Sequence, residues 1–475
     1  MNLPKKVAVI GAGPAGITAA HELVKKGAQV DVYEASDSVG GMAKSINLWG
    51  YTVDIGPHRF FSSDTRVNKA WLEVVGTDYD MVDRLTRIYY KKKFFYYPLK
   101  ALNALGNLGP YEAALCFISY LKEKINPTPD DGTFESWVTR RFGRRLFNIF
   151  FKTYTEKLWG ISCKDLDADF AAQRIKKFSL GEAIKNALFG NSGKHKTLVD
   201  QFAYPYGGTG MVYERMAANI QMAGSNIFFK TPVQRVLTKD NSAYAIELVN
   251  GEIKTYDHIV SSMPLTLLVQ RLPDVPQDIL EKSKRLKYRN TIIVYLLVEN
   301  SSLFPDNWLY IHSPDLQMGR LTNFRNWVPH LYGDKTGSVL ALEYWCYDED
   351  EFWKWDDERL INLAKKELRQ TGLIGDSIIS NGQVYRIPRC YPVYGRGYKD
   401  LLTPIENYLK TIQNLSLIGR YGAFKYNNQD HSILMGILAA ENIMENAGHD
   451  LWEINTDYEN YQEMSTITKS GLEKK

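Results

Sequence analysis

The stretch VAVIGAGPAGITAAHELVKKGAQVDVYEA, residues 7–35, decides the fold. Its apolar run at 7–10 predicts a buried strand, residues 14–26 have helical periodicity, and residues 29–35 predict a second strand. Two strands joined by a helix in this order indicate a β-α-β unit. Such a unit is the usual beginning of a doubly wound parallel sheet.

Three glycines, Gly11, Gly13 and Gly16, form a G-x-G-x-x-G pattern between the first strand and the helix. The first permits a tight turn, the second lets a pyrophosphate approach the backbone, and the third allows close packing of the helix. Free N–H groups at the helix start attract a phosphate. Glu34 ends the second strand 23 residues after Gly11, where a carboxylate accepts from a ribose hydroxyl. The pattern predicts a dinucleotide site but leaves FAD and NAD both open.

Composition narrows the class of protein. The chain has 475 residues, which predicts two or three domains, and its net charge of +4 argues against a surface dedicated to nucleic acid. No apolar stretch reaches the roughly 18–20 residues of a membrane span, so we expect no membrane insertion and a soluble, cytoplasmic protein. The cysteines are far apart and lack CxxC spacing, which predicts reduced thiols and no metal site. They are Cys116, Cys163, Cys346 and Cys390.

Beyond the β-α-β unit, the sequence pattern becomes first mainly helical and then mainly strand-like. Helical patterns with aromatic stripes dominate residues 134–160, whereas residues 288–300, 337–347 and 383–393 read as long strands. We therefore expect an α/β fold in which a Rossmann-like domain shares the chain with a helical domain and an antiparallel β-sheet domain. The expected bounds are 1–84 with 205–262 and 402–450 for the first, 85–204 for the second, 263–401 for the third, and 451–475 for a loosely ordered tail.

The stretch EASDSVGGMAKSI, residues 34–46, resembles the second fingerprint of the FAD-dependent amine oxidase-like flavoproteins. This resemblance implies a glutathione-reductase-type domain that binds FAD, so FAD is favoured over NAD. It also implies that the C-terminal stretch GRYGAFKYNNQDHS, residues 419–432, completes the flavin site, with Asp430 as a candidate N-cap of the helix behind it. The cofactor-binding residues that the resemblance implies are Gly11, Gly13, Ala15, Gly16, Glu34, Gly41, Val233, Gly419, Arg420, Asn428, Gln429 and Ser432.

Within that superfamily, three further stretches narrow the resemblance. YTVDIGPHRFFSSD at 51–64, KTYTEKLWG at 152–160 and FAYPYGGTG at 202–210, taken in order with residues 419–432, look like the UDP-galactopyranose mutase family. The resemblance implies interconversion of the pyranose and furanose forms of a nucleotide-diphosphate sugar, through an adduct between the sugar and N5 of reduced FAD. It further implies a nucleotide-sugar partner, NADPH or NADH as reductant, and a role in cell-surface glycan synthesis.

The same resemblance assigns roles to single residues. His58 would lie beside the flavin, and Arg174 and Arg320 would hold the diphosphate, which two guanidinium groups bind bidentately. Trp327 stands where the eukaryotic form of the family has a tyrosine. The substrate-binding residues that the resemblance implies are Tyr97, Trp159, Tyr310, Trp327, Tyr391 and Tyr426.

Three alternatives stay open at this point. An oxidoreductase of the amine oxidase type would share the FAD motifs and could use the aromatic residues as a substrate cage. A flavoenzyme acting on another nucleotide-linked or lipid-linked sugar is hardly separable by sequence, and a non-catalytic flavoprotein that senses nucleotide sugar is the third. The pair of arginines favours a diphosphate ligand. The sugar, the nucleotide and the oligomeric state remain open, and a homo-oligomer is compatible with the sequence.

Overall fold

The computed structural model describes residues 4–97, 99, 101–170, 201–454 and 464–474. The chain divides into two compact units. The first comprises Met1–Val82, Phe202–Lys287 and Lys399–Lys475, and the second comprises Asp83–Gln201 and Tyr288–Tyr398.

A five-stranded parallel sheet forms the centre of the first unit and confirms the predicted β-α-β opening. Its central strand, Lys6–Ile10, pairs with Gln29–Tyr33 on one side and with His258–Ser261 on the other. Val7, Ala8 and Val9 of this strand are fully buried, as expected of a parallel strand covered on both faces. Across the sheet the strands are Leu415–Leu417, His258–Ser261, Lys6–Ile10, Gln29–Tyr33 and Asn226–Phe228.

Two helices pack closely against each other beside this sheet: the first helix, Pro14–Lys25, and the last helix, Gln429–Glu445. A Cβ at Gly436 would lie 2.7 Å from the Ala15 carbonyl oxygen, so only glycine permits this approach. The other helices of the unit are Gly41–Ala43, Thr65–Val75, Gly210–Met222, Leu265–Gln270, Gln277–Arg285, Tyr398–Lys410 (which begins at the unit boundary), Gly419–Gly422 and Leu451–Glu453. Its smaller sheets contain Ser45–Leu48, Tyr51–Asp54, Tyr79–Asp83, Gln201–Pro205, Val233–Lys239, Ser242–Leu248 and Ile253–Thr255.

The C-terminal residues correct one expectation. The prediction of a loosely ordered tail is wrong for residues 464–474, where strands Ser465–Thr468 and Gly471–Lys474 form a hairpin. The amide of Asn68 donates to the Ser465 carbonyl at 3.2 Å, and the Tyr79 hydroxyl donates to the Thr468 carbonyl at 2.7 Å. Ser465 and Ile467 are buried, so this polar segment has one inward face. Its alternation is too short to stand out in the sequence.

A seven-stranded sheet forms the core of the second unit and confirms the three predicted long strands. Across the sheet the strands are Ile379–Pro392, Tyr288–Val298, Ser338–Cys346, Arg320–Asn323, Trp308–Ile311, Thr86–Tyr90 and Lys93–Tyr96. The helices of this unit are Ala101–Leu108, Pro110–Ile125, Phe134–Phe142, Arg144–Leu146, the π-helix Phe147–Lys152, Thr153–Trp159, Phe324–Asn326, Pro329–Leu331, Glu351–Lys354 and Asp357–Thr371.

The observed units divide the chain differently from the expected domains. The expected helical and antiparallel-sheet segments fall in one unit, because Thr86–Tyr90 pairs in parallel with Trp308–Ile311. Residues 263–287 carry two helices and belong to the first unit instead of the sheet segment. Within the described part of the chain, no helix has the length and apolar character needed to cross a membrane.

Candidate functional site

Residues 11–16 of the first unit form the glycine-rich turn, and two of its three glycines, Gly11 and Gly16, are required for steric reasons. Gly11 has a φ of +94°, and a Cβ there would lie 2.3 Å from the Ser262 hydroxyl oxygen. A Cβ at Gly16 would lie 1.9 Å from the Gly11 carbonyl oxygen. Gly13 caps the first helix, and no side chain caps that helix end. Backbone N–H groups at the helix start are thus left to bind an anionic ligand.

Glu34 lies beside the glycine-rich turn and is oriented by it. Its carboxylate accepts from the Ala12 N–H at 2.7 Å and from the Ser36 N–H at 2.8 Å. A carboxylate has about four acceptor positions. Two therefore remain for hydroxyl groups of a ligand.

A second pair of glycines approaches the same turn. Gly41 has a φ of +53°, and a Cβ there would lie 3.0 Å from the Gly13 Cα. The Gly40 N–H donates to the Ala12 carbonyl at 2.8 Å. Three of the predicted cofactor-binding residues, Gly13, Gly41 and Glu34, are thus brought to one place. Val233 is buried at the start of its strand, and its carbonyl accepts from Arg271 at 2.8 Å.

The last helix begins near the other end of the predicted site. Its N-cap is Asn428 and not Asp430, which lies inside the first turn. The prediction of Asp430 as the cap is wrong because the helix starts two residues earlier than the polar string suggested. The Asn428 side chain makes no capping hydrogen bond. Ser432 is buried in this first turn, where its N–H donates to the Asn428 carbonyl at 3.2 Å.

Gln429 has all of its side-chain hydrogen bonds inside the protein. Its amide nitrogen donates to the carbonyls of His58 and Arg59 at 3.2 and 3.0 Å. Its amide oxygen accepts from the hydroxyls of Tyr213 and Thr209 at 2.8 and 3.3 Å. The side chain therefore holds the His58 turn, residues 55–59, against the start of the last helix. His58 itself is partly exposed, and one ring nitrogen lies 3.3 Å from the Ile55 carbonyl.

Asp54 is a buried carboxylate that sequence reasoning missed. It accepts from the hydroxyls of Ser45 and Tyr204 at 2.6 Å each and from the Thr209 N–H at 3.1 Å. Burial raises the pKa of this carboxyl to about 7. A Cβ at Gly208 would lie 2.3 Å from the Ser45 hydroxyl oxygen, and one at Gly210 would lie 2.4 Å from the Ser45 backbone nitrogen, which explains these two glycines of the 202–210 motif. Asp54 thus ties the strand Ser45–Leu48 to this motif.

Residues 419–426 fold back on themselves. Gly419 has a φ of +80°, and a Cβ there would lie 2.9 Å from the Ala15 Cβ. The Arg420 guanidinium donates to the Asn427 carbonyl, with Nε at 2.9 Å, and lies 5.3 Å from the centre of the Tyr426 ring. Arg420 and Tyr426, predicted for cofactor and substrate respectively, therefore contact each other.

Arg320 is the predicted diphosphate ligand within the described part of the second unit, and it is paired. Its Nε donates to the buried carboxylate of Glu343 at 2.6 Å, and its Nη2 donates to the same carboxylate and to the Tyr391 hydroxyl, the latter at 3.4 Å. Burial alone would lower the pKa of Arg320, but the Glu343 charge raises it well above its ordinary value. Among the described residues, no hydrogen bond involves Nη1.

Aromatic side chains surround Arg320. Tyr310 is its direct partner across the strand pair, and the Tyr310 ring packs edge-on against Tyr97 at 5.0 Å and Tyr154 at 5.5 Å. Trp159 packs edge-on against Tyr391 at 6.2 Å. Tyr154 was missed from the sequence, although it lies five residues before Trp159 in the 152–160 motif.

One predicted substrate residue of the second unit, Trp327, falls outside this aromatic group. Trp327 is buried, packs against Trp308 at 5.9 Å, and its indole N–H donates to the Asn307 carbonyl at 3.4 Å. Trp308, at the start of the strand Trp308–Ile311, packs edge-on against Tyr310 at 6.4 Å. Trp327 is therefore linked to the aromatic group through Trp308. Arg174 lies outside the described residues.

Comparison with known proteins defines the class. The family described as flavin containing amine oxidoreductase matches residues 14–444, and the chain belongs to this family. Membership implies an FAD-type flavin. The glycine-rich turn fits such a group. A Cβ at Gly11 would clash with Ser262 and one at Gly41 would crowd Gly13, so the backbone stays bare here, and the uncapped helix start offers N–H groups that suit a phosphate.

Some of the similar proteins are named as mutases and others as oxidases. A crystal structure of reduced UDP-galactopyranose mutase superposes with a TM-score of 0.85 at 22% identity, covering 96% of this chain and 97% of that one, and shows the same fold. Coproporphyrinogen III oxidase of Staphylococcus aureus is 20% identical, with 93% and 99% covered. A Klebsiella pneumoniae protein named "Probable UDP-galactopyranose mutase" is 25% identical over 39% of this chain and 49% of its own length.

Proposed function

We propose that the protein is a flavin-dependent mutase that interconverts the pyranose and furanose forms of a nucleotide-diphosphate sugar, UDP-galactose or a close analogue. The observation that carries this proposal is the Arg320 guanidinium within a group of aromatic side chains. A guanidinium suits a diphosphate, and aromatic rings suit a base and a sugar. The likeness of the whole chain to reduced UDP-galactopyranose mutase supports the same choice.

The first unit would hold FAD. The glycine-rich turn and Gly41 would contact its diphosphate, and Glu34 would accept from its ribose. When bound and reduced, FAD would supply a nucleophile for chemistry at the anomeric carbon of the sugar. The start of the last helix would favour negative charge on a bound group, and Gln429 would fix His58 through the His58 turn.

The second unit would hold the nucleotide sugar. Arg320 would donate from Nη1 to the diphosphate, and the bond with Glu343 keeps the guanidinium charged and in one orientation. Tyr310, Tyr391 and Trp159 would line the binding surface. Arg174 would supply the second cation. We further propose NADPH or NADH as reductant, a cytoplasmic protein, and a product that serves glycan synthesis.

A second candidate is oxidation of a carbon or amine centre with transfer of a hydride to FAD. Two observations favour it. The S. aureus coproporphyrinogen III oxidase aligns over nearly its full length, and Glu343 cancels much of the Arg320 charge that a diphosphate would use. The two reactions differ in redox balance, since the mutase returns its flavin to the starting state and the oxidase consumes oxygen or another acceptor.

The direct experiment uses the purified holoenzyme. FAD is released and identified by chromatography, the enzyme is reduced with dithionite or NADPH, and UDP-galactofuranose is supplied. The mutase proposal expects UDP-galactopyranose to accumulate with no net loss of reduced flavin. Absence of any interconversion with the flavin still reduced would refute it. Peroxide formation with an amine or porphyrinogen would favour the second candidate.

A pair of variants separates the candidates at Arg320. Glu343→Gln keeps the guanidinium and removes its compensating charge, so UDP affinity should hold or rise. The double variant Arg320→Gln/Glu343→Gln removes the cation without leaving a buried charge alone, and should weaken UDP by about 2 kcal/mol, roughly thirtyfold in Kd. An isolated Arg320→Ala would instead leave Glu343 buried and unpaired, which destabilises the fold itself. Unchanged UDP affinity in the double variant would remove Arg320 from the site.

A further inference from the structure

The segment 311–319 runs from the end of the strand Trp308–Ile311 to the start of the strand Arg320–Asn323, and it is held by a half-buried lysine and a buried glutamate. It directly follows Tyr310 and directly precedes Arg320 in the chain. We refer to residues 311–319 as the hairpin connection. Its backbone groups do not form a regular ladder, and side chains satisfy several of them.

Lys157 binds the carbonyl side of the hairpin connection. Its ammonium donates to the carbonyls of Ile311 at 3.1 Å, Ser313 at 2.7 Å and Met318 at 3.4 Å. Lys157 belongs to the helix Thr153–Trp159. Three acceptors for three N–H groups satisfy the ammonium in full.

Glu367 binds the N–H side of the same connection. Its carboxylate accepts from the N–H groups of Gln317 and Met318, the latter at 3.0 Å, and from the Tyr344 hydroxyl at 3.1 Å. Glu367 is 4% exposed and lies in the helix Asp357–Thr371. Among the described residues, Lys157 and Glu367 form no ion pair with each other. Each of the two charged groups therefore binds backbone groups of the hairpin connection.

The helix that carries Lys157 is fixed at its C-terminal end, directly after this residue. The Tyr347 hydroxyl donates to the Trp159 carbonyl at 2.6 Å, and the buried Arg289 donates to the Leu158 carbonyl at 3.1 Å. The same helix carries Tyr154, whose ring packs on Tyr310 and stacks on His312 at 4.8 Å. A helix held in this way gives Lys157 a fixed point from which to position the hairpin connection.

We propose that Lys157 and Glu367 are positioning residues that clamp the hairpin connection and thereby orient Tyr310 and Arg320 toward a nucleotide diphosphate. This inference rests on the proposed function for its ligand. Neither residue needs to touch substrate. Their effect passes through the backbone, because removing either charge frees carbonyl or N–H groups of residues 311–318 from their partners.

The clamp should depend on pH. Burial lowers the pKa of Lys157 to about 8, against the opposing effect of the Glu367 and Asp315 charges. His312, the other titratable group facing Lys157, stays neutral because burial and the Lys157 charge lower its pKa to about 3. Above about pH 8 the lysine becomes an amine with two N–H groups, and one of its three carbonyls loses its donor.

The test measures UDP binding to the FAD-loaded enzyme by fluorescence titration between pH 6.5 and 9.5. Wild type should bind UDP more weakly above about pH 8. Lys157→Met should raise the Kd about tenfold at pH 7 and remove this pH dependence. Glu367→Gln should shift the pH dependence to lower pH, because Lys157 loses its compensating charge. Lys152→Met, at an exposed lysine one turn earlier, is the matched control and should behave as wild type.

Hydrogen–deuterium exchange makes the inference independent of the ligand. In both variants the amides of Gln317 and Met318 should exchange faster, with the rise confined to the hairpin connection. Unchanged exchange there, or unchanged UDP affinity in Lys157→Met, would overturn the clamp. Failure of wild type to bind UDP, combined with the local rise in exchange, would refute the proposed function and support the clamp.

Discussion

Replacement of Asp54 by Asn should change how the stability of the first unit depends on pH. The folded protein holds the pKa of this carboxyl at about 7 against an ordinary value of 3.8, because burial disfavours the charge. The difference corresponds to ~4 kcal/mol between the two protonation states. The folded state therefore binds the proton more tightly than the unfolded chain.

The sign follows from proton linkage. Between about pH 4 and pH 7 the folded state holds more protons than the unfolded state, so the free energy of unfolding falls as the pH rises. The full loss of ~4 kcal/mol is reached above about pH 7. Asp54→Asn removes this pH-dependent contribution to the free energy of unfolding, because an amide does not titrate in this range. Its amide oxygen can keep the bonds from Ser45 and Thr209, and its amide nitrogen can donate to the Tyr204 hydroxyl.

The assay is urea unfolding of the apoprotein at pH 4.5, 5.5, 6.5 and 8, since bound FAD would add its own linkage. The free energy of unfolding of the variant, relative to wild type, should rise by about 3 kcal/mol between pH 4.5 and pH 8, because roughly 1 kcal/mol of the wild-type loss has already occurred at pH 4.5. Asp274→Asn removes an exposed carboxylate in the same unit and should leave the wild-type profile in place. Parallel profiles for Asp54→Asn and wild type would refute the argument.

Three further predictions concern the first unit. Gly16→Ala should leave the purified protein with less than a tenth of its normal flavin, because the new Cβ would lie 1.9 Å from the Gly11 carbonyl oxygen. Gly106→Ala is the control and should keep full flavin content, because the space around its Cβ is open. Gln429→Glu should shift the flavin absorbance maximum and lower the free energy of unfolding by about 2 kcal/mol, because a carboxylate cannot donate to the two carbonyls of the His58 turn. An unchanged absorbance spectrum would show that Gln429 does not position the His58 turn beside the flavin. Deletion of residues 464–475 should lower Tm by several degrees in a calorimetric scan, because the buried Asn68 amide loses both of its acceptors on Ser465 and keeps only the Ser62 carbonyl. An equal Tm would show that the hairpin adds no stability.

The parts of the fold that the sequence predicted are those with local causes. The β-α-β opening rests on glycines and apolar residues that are neighbours in the chain, so turn, strand and helix could be predicted together. The hairpin at 464–474 depends instead on partners about 400 residues away, such as Asn68. Periodicity over four residues cannot reveal such partners.

The candidate site could be predicted as a set of residues but not as a set of contacts. Glu343 faces Arg320 because strands Arg320–Asn323 and Ser338–Cys346 pair in one particular register. That register is fixed by the whole seven-stranded sheet, and no motif around either residue encodes it. Lys157 likewise appeared only as part of a pattern ending at Trp159, and its three carbonyl partners belong to a distant connection.

Hydrogen-bonding capacity now separates the predicted site residues by how directly each can touch a ligand. Gln429 uses all of its side-chain donors and acceptors within the protein, so it positions the His58 turn and can reach a cofactor only through its backbone. Glu34 keeps about two acceptor positions, and Arg320 keeps Nη1. Arg320 also shares its charge with Glu343, so it fixes the orientation of a diphosphate better than it neutralises one. Under the proposed function, most of the neutralising charge must then come from a cation other than Arg320, and Arg174 is the residue proposed for this role.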